Sequence, residues 1–192
     1  MRLRALTGDT LAAALDDVAR LRIEVFAAYP YLYDGDLAYE RRYLEPYRAQ
    51  DAIVVGAFEG AELVGAATGM PLAAHADDFA VAFEGTGIAL EDVFYCAESV
   101  LLPEYRGQGI GHAFFEYRES HARRLGFDHA AFCAVLRPED HPMKPEGYRP
   151  LDAFWRARGY APLDGITAQF GWRDMGEEAE SLKRLQVWMR AL

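Results

Sequence analysis

The sequence predicts a mixed α/β (α+β) fold, a sheet with helices on both faces, and three observations carry that reading. Early in the chain, Ala52 to Phe58 and Leu63 to Met70 flank a turn at Glu59-Gly60 and read as an apolar hairpin, which pairs its strands antiparallel. Later, Val93 to Leu102, an amphipathic run from Ile110 to Leu125, and Asp128 to Leu136 read as strand, helix, strand. No Ser/Gly- or Pro-rich linker divides the 192 residues, and a hydrophobic content of 52% can form a sizeable core, so one domain over residues 1–192 is expected.

Each element has a local reason. Arg2 to Leu6 reads as a first strand, and Asp9 is expected to cap a helix that carries Leu11, Leu15, Val18, Leu21, Ile23, Val25 and Phe26 and ends near Pro30. A second helix is expected over Leu37 to Arg48, before the hairpin. Residues 71–92 read as loop with a short helix around Asp77 to Glu84. Val93 to Leu102 is β-branched, aromatic and mostly apolar, a buried strand that Pro103 ends by withholding an N–H. After Ile110 the residues Ala113, Phe114, Tyr117, His121 and Leu125 recur at helical spacing. A stiff segment follows the next strand, Arg137 to Pro150, with Pro138, Pro142, Pro145 and Pro150. Then come a helix, a strand from Ile166 to Arg173, and a closing helix from Glu177 to Met189 whose Leu182, Leu185 and Trp188 share a face. That face either completes the core or pairs two subunits, which leaves a homodimer open.

Charge and composition exclude several function classes. A formal net charge of −10 with no basic run argues against a nucleic-acid partner and suits a cationic one, by long-range attraction. No apolar run approaches the ~18 residues of a membrane span, and the N-terminus turns polar too early for a signal peptide, so a soluble cytoplasmic protein with no membrane partner is expected. Cys96 and Cys133 each fall in an expected strand, which reads as two buried thiols, and the five histidines form no metal-ligand pattern with them.

The chemistry concentrates at Pro103-Glu104-Tyr105-Arg106-Gly107-Gln108-Gly109-Ile110-Gly111-His112. Here a glycine-spaced turn delivers a strand into a helix N-terminus, where free N–H groups and the helix dipole favour a phosphate and the absent side chains let it approach the backbone. The spacing is not that of a P-loop, because no lysine or hydroxyl follows Gly111. Nor is it the dinucleotide fingerprint, because Gly107-x-Gly109-x-Gly111 is G-x-G-x-G and lies past mid-chain.

The pattern Arg/Gln-x-x-Gly-x-Gly/Ala, present as Arg106 to Gly111, resembles the GNAT superfamily of N-acetyltransferases. The preceding strand, the Pro-x-Tyr-Arg-Gly entry, the following helix and strand, and Ala153-Phe154-Trp155-Arg156-Ala157-Arg158-Gly159-Tyr160 resemble it in order and spacing, over roughly residues 1–175. The resemblance implies a mostly antiparallel central sheet of about six to seven strands, acetyl-CoA (coenzyme A) as acetyl donor, and a primary amine acceptor on a small molecule or peptide. It implies a pantetheine arm against backbone groups of Leu101 and Leu102, with Val100 close by, and a pyrophosphate over Arg106, Gly107, Gln108, Gly109, Ile110, Gly111 and His112.

Attack on a thioester needs a neutral amine, so something must accept a proton. Glu98, the only carboxylate between Val93 and Leu102, is the candidate catalytic base and a candidate substrate contact; the alternative places it at solvent or against an arginine. In the resembling family a tyrosine often protonates the departing thiolate, and here that position, beside the cofactor, is Trp155, whose indole N–H is no usable acid. Tyr148 and Tyr160 are the substitutes, with Tyr160 expected in the core and Tyr148 or solvent expected to supply the proton. Tyr31 and Tyr33, in a stretch rich in tyrosine and carboxylates from Tyr29 to Tyr47, are candidate acceptor contacts, because aromatic faces and carboxylates hold cations; the alternative is an amphipathic helix pair. The chain is thus expected to be an acetyltransferase working by direct transfer, the alternative being a non-catalytic acyl-CoA-binding or regulatory module on the same fold.

Overall fold

Side-chain alternation along the hairpin sets the layers. Strand β2 (Ile53–Glu59) pairs antiparallel with β3 (Glu62–Pro71), and Val54 turns to one face while Ile53, Val55 and Ala57 turn to the other. Both faces are covered, which is why the run is apolar at successive positions. The computed structural model describes the backbone of residues 1–192 and the side chains of all but 76–78. Strand β1 (Arg2–Leu6) adds antiparallel to β2, and both β4 (Val93–Tyr95) and β5 (Ser99–Leu101) pair antiparallel with β3 on its other side. Strand β6 (His129–Val135) runs parallel to β4, and β8 (Ser181–Ala191) lies between β6 and β7 (Ala161–Trp172), giving the order β1-β2-β3-β4-β6-β8-β7.

Helices α1 (Gly8–Phe26), α2 (Leu37–Leu44) and α3 (Ala76–Phe83) cover one face, packing on Val54, Met70, Tyr95 and Cys133. Helices α4 (Ile110–Leu125) and α5 (Asp152–Ala157) cover the other, packing on Val55, Phe94 and Phe132. The N-cap of α1 is Thr7 rather than Asp9: Thr7 N–H donates to Thr10 Oγ1 at 3.1 Å and the Thr10 hydroxyl returns to Thr7 O at 2.7 Å, with Asp9 in the first turn. Helix α2, capped by Asp36, stops at Leu44, and Glu45–Arg48 form a single 3-10 turn, because Pro46 has no N–H to continue the ladder. No helix among the described residues is long and apolar enough to cross a membrane.

Three expectations need correction. The run from Val93 to Leu102 is not one uniform strand: Ala97 and Glu98 together oppose Thr68, with Ala97 N–H donating to Thr68 O (3.1 Å) and Thr68 N–H to Glu98 O (3.0 Å), which is a β-bulge. The closing segment is strand β8, not a helix. Its Leu, Lys, Arg, Gln and Met favour helix, but the buried set Lys183, Leu185 and Val187 has period two, and Leu182 of the supposed helical face is 71% exposed. Pairing on both sides overrides the local preference. The preceding strand also starts earlier than expected, at Ala161, and is irregular between Pro162 and Thr167.

Truncation after Asp174 removes a strand that is hydrogen-bonded on both edges. The shortened chain is expected to show no cooperative thermal transition by circular dichroism, and a folded monomer would contradict the internal position of β8.

Candidate active site

The glycine turn is built to leave backbone donors free. Gly107 and Gly109 take φ of +76° and +81°, which side chains disfavour, and a Cβ at either would meet nothing within 4 Å, so both face open space. Gly109 caps α4 with no side-chain acceptor, and among the described residues the N–H groups from Gly107 to His112 have no protein partner. Gly111 has ordinary backbone angles, with Phe154 at 3.5 Å from its notional Cβ. Arg106 is exposed and donates through Nε to Leu101 O at 3.2 Å, Gln108 donates to Glu104 O at 3.3 Å, and the His112 ring packs on Phe154 at 4.8 Å. Ile110 is buried and anchors the turn. Such a cradle suits an anion.

Beside the cradle the sheet opens. Cys96 N–H donates to Ala131 O at 2.7 Å, the last link between β6 and the bulged strand; beyond it β5 pairs only with β3. Leu102 N–H goes to Val64 O and Glu98 O accepts from Thr68 N–H, so alternation also turns the Val100 backbone toward β3. Alternation leaves the backbone groups of Ser99 and Leu101 facing the gap. Trp155, partly buried against Phe132 (4.9 Å) and Trp188 (5.1 Å), stands on the β6 side.

On the α1 face, at the bulge, lies a cavity of about 110 Å³ walled by Phe26, Tyr31, Tyr43, Tyr95, Phe170 and Trp172, with Tyr33, Arg22, Glu98 and Cys133 also at its surface. Glu98 is thus not at solvent but against an arginine, the second of the two placements that the sequence left open beside a free base. Its carboxylate pairs with Arg22 and accepts from the Tyr43 and Thr68 hydroxyls. Arg22, 7% exposed, also pairs with the fully buried Glu40, which accepts from Tyr33 Oη at 2.8 Å. The Arg22 guanidinium lies 4.2 Å over the Tyr43 ring. Burial opposes its charge, but Glu98, Tyr43 and Glu40 outweigh burial and raise its pKa further. Burial, then Glu98, hold the Tyr43 phenol protonated well past its usual range. Burial pushes the Cys133 thiol up to about 12 and raises Cys96 as well, so both stay thiols near neutral pH.

The loop carrying Tyr31 is fixed from behind. Arg137 donates to Pro30 O and Tyr31 O, both at 2.7 Å, and to Asp174 at 2.6 Å, while Trp172 Nε1 donates to Tyr31 O at 3.0 Å. Burial disfavours the Asp174 charge, but Arg137 and Lys183 outweigh it and hold the carboxyl below the usual range.

The structure therefore brings Glu98, Tyr31 and Tyr33 together at one cavity and keeps Tyr148 out of its lining. Tyr148 packs edge-on against Tyr29 at 4.7 Å, and burial, with Tyr29 and Asp152, raises its phenol. Tyr160 is a core residue, donating to Glu119 at 3.1 Å. Glu40 and Tyr43 belong to the stretch from Tyr29 to Tyr47 that the sequence singles out, whereas Arg22, Tyr95 and Trp172 were not expected at the site. Arg22 had a sequence signal: it stands four residues from both Val18 and Phe26, on the buried stripe of α1 where a charge needs a reason. Replacing Arg22 by Ala leaves two buried carboxylates unpaired and is expected to destabilise the fold by about 3–5 kcal/mol in urea unfolding; a loss under about 1 kcal/mol would mean the cluster is solvated.

Comparisons with known proteins agree with this architecture. Ribosomal-protein-alanine N-acetyltransferase from Brucella melitensis superposes with a TM-score of 0.66 at 16% identity, over 100% of both chains. A GNAT superfamily phosphinothricin acetyltransferase from Sinorhizobium meliloti, in complex with AcCoA, gives 0.61 at 17% identity, over 100% of this chain and 89% of that one. A GCN5-related N-acetyltransferase from Kribbella flavida gives 0.60 at 15%, over 99% and 98%. At such identities these show a shared fold. No curated protein matches the sequence. Residues 18–144, which include the second half of α1, the hairpin, the bulge and the glycine turn, match the Acetyltransferase (GNAT) family, and the chain belongs to that family.

Proposed function

We propose that this chain is an acetyl-CoA-dependent N-acetyltransferase that passes the acetyl group directly to a primary amine on a small molecule or peptide. The observation that carries the reading is the adjacency of the unpartnered N–H cradle from Gly107 to His112 and the open edge of β5, where the Leu101 N–H faces the gap and Leu101 O is held by Arg106 Nε. The cradle, with the Arg106 guanidinium, suits a pyrophosphate. The Leu101 backbone suits a pantetheine amide, with Val100 and Leu102 flanking it and Trp155 walling the far side. A Cβ at Gly107 or Gly109 would meet nothing within 4 Å, so the cradle is open where a pyrophosphate would lie.

Acetyl-CoA supplies the acetyl group as a reactive thioester. As the amine nitrogen bonds to the carbonyl carbon and the carbon–sulfur bond breaks, Glu98 takes the amine's proton, directly or through water. The leaving sulfur receives a proton from Tyr148 or from solvent. Two protonated, buried cysteines favour a ternary complex over a covalent enzyme intermediate. Trp155, where the resembling family often carries its acid, favours one second reading, an acyl-CoA-binding module without catalysis.

Isothermal titration is expected to give micromolar acetyl-CoA binding that is lost in Gly111→Glu. Glutamate at this position needs no left-handed backbone and suits a helix start, so the variant stays folded while its carboxylate opposes the pyrophosphate. No binding to folded wild-type protein would end the reading. In steady-state assays Glu98→Gln is expected to lower kcat by about 10²-fold or more without changing acetyl-CoA affinity. Tyr148→Phe should lower kcat by less, because solvent substitutes. Unchanged turnover in each variant removes that residue from the mechanism, and binding without turnover of any amine favours the non-catalytic module.

A further inference from the structure

The cavity at the bulge narrows the acceptor beyond "an amine". Resting on the acetyltransferase reading, we propose that the acceptor is a monoamine borne on one compact aromatic or branched apolar group, which occupies this cavity.

Three features point there. The first is size: about 110 Å³ is of the order of the ~150 Å³ apolar cavity that accepts a benzene molecule, so one ring or one branched alkyl group fills it. The second is the walls. Six aromatic rings, from Phe26, Tyr31, Tyr43, Tyr95, Phe170 and Trp172, face a group that leaves water, and ring faces also attract a single ammonium. The third is local charge. Among the described residues the lining holds one cation, Arg22, and one carboxylate, Glu98, and Arg22 is shared with Glu40 behind it, so the cluster carries one net negative charge, which suits one ammonium and leaves none for the further ammonium groups of a polyamine. The chain's net charge of −10 therefore draws cations to the surface generally, whereas the cavity itself selects for apolar bulk.

Position makes the selection useful. Ala97 and Glu98 line the cavity and belong to the bulge, next to the β5 edge. Glu98 Oε1 serves both Arg22 and Tyr43, while Oε2, among the described residues, accepts only from Thr68 and retains capacity for one more donor, the amine of a seated acceptor.

The test has two arms. In the first, 2-phenylethylamine, isoamylamine, spermidine and kanamycin are compared as acceptors by release of free thiol. The two apolar amines are expected to exceed the others in kcat/KM by roughly 100-fold, the scale on which an apolar pocket discriminates. In the second, 2-phenylethylamine is titrated calorimetrically into the free protein and into its complex with CoA, for wild type and Ala97→Leu, which fills the cavity. Wild-type binding that falls at least about tenfold in Ala97→Leu, with acetyl-CoA affinity unchanged, supports the proposal. Preference for spermidine or kanamycin, or no binding of the aryl amine in either titration, overturns it. The two readings fail separately: polyamine turnover keeps the acetyltransferase and rejects the aryl acceptor, whereas absence of acetyl-CoA binding rejects the acetyltransferase and leaves the calorimetric arm to decide what the cavity holds.

Discussion

Both halves of the site depend on Arg118. This residue of α4 is 1% exposed, and its guanidinium enters the β-bulge, donating to Thr68 O (3.2 Å), Glu98 O (2.9 Å) and Ser99 Oγ (2.9 Å), while Nε returns to Phe114 O (3.2 Å). A bulge disrupts a ladder and leaves carbonyls under-satisfied; a cationic donor with a rigid fork is well suited to satisfying several at once. The neighbouring Glu119 goes instead to Arg158 (3.1 Å) and Arg190 (3.6 Å), so the Arg118 charge is spread over neutral oxygens. One side chain thereby fixes three things relative to one another: the helix whose N-terminus forms the anion cradle, the strand whose edge opens, and the backbone that carries Glu98.

The same device recurs through the molecule. Arg22, Arg118, Arg137 and Arg158 are all drawn inside or nearly so, each held by carboxylates, carbonyls or both. An acidic chain has thus placed four of its 20 cationic side chains where they organise backbone, together with the buried carboxylates Glu40, Glu119 and Asp174 and the largely buried Glu98. Buried guanidinium groups of this kind stabilise little by themselves, since desolvation consumes most of the attraction. What they confer is registry: each fits one arrangement of acceptors, and the bulge and the Tyr31 loop have that arrangement.

Much of this was legible in the chain, for reasons that differ by element. The glycine turn is a local object, set by φ values that only glycine adopts easily, so its residues announced it before any tertiary contact was known. The hairpin and α4 were equally local, written in their own periodicity. The aromatic cavity was legible only in part. Tyr31, Tyr33 and Glu98 drew notice by residue type, but their meeting point depends on Arg22, Tyr95 and Trp172, which lie on three different elements far apart in sequence. Strand β8 was misread because Leu182, Leu185 and Trp188 satisfy helical spacing while Lys183, Leu185 and Val187 satisfy strand spacing. Only the strands on either side decide between them. The bulge left no mark at all in Cys96-Ala97-Glu98, since an extra residue in a strand is visible only against its partner.

The gap between β5 and β6 gives the sheet a further property. The anion cradle is formed at the N-terminus of α4 on one face, and the aromatic cavity is built from α1, α2 and the side chains of Tyr95, Cys133 and Leu185 on the other. The sheet is a septum between two chambers, and the place where the strands part is its aperture. Substitutions that reshape the aromatic chamber are screened from the cradle by a layer of paired backbone. A lineage that inherits this septum can therefore reshape the aromatic chamber by drift in α1, α2 and the loop at Tyr31 while the glycine cradle stays as it was.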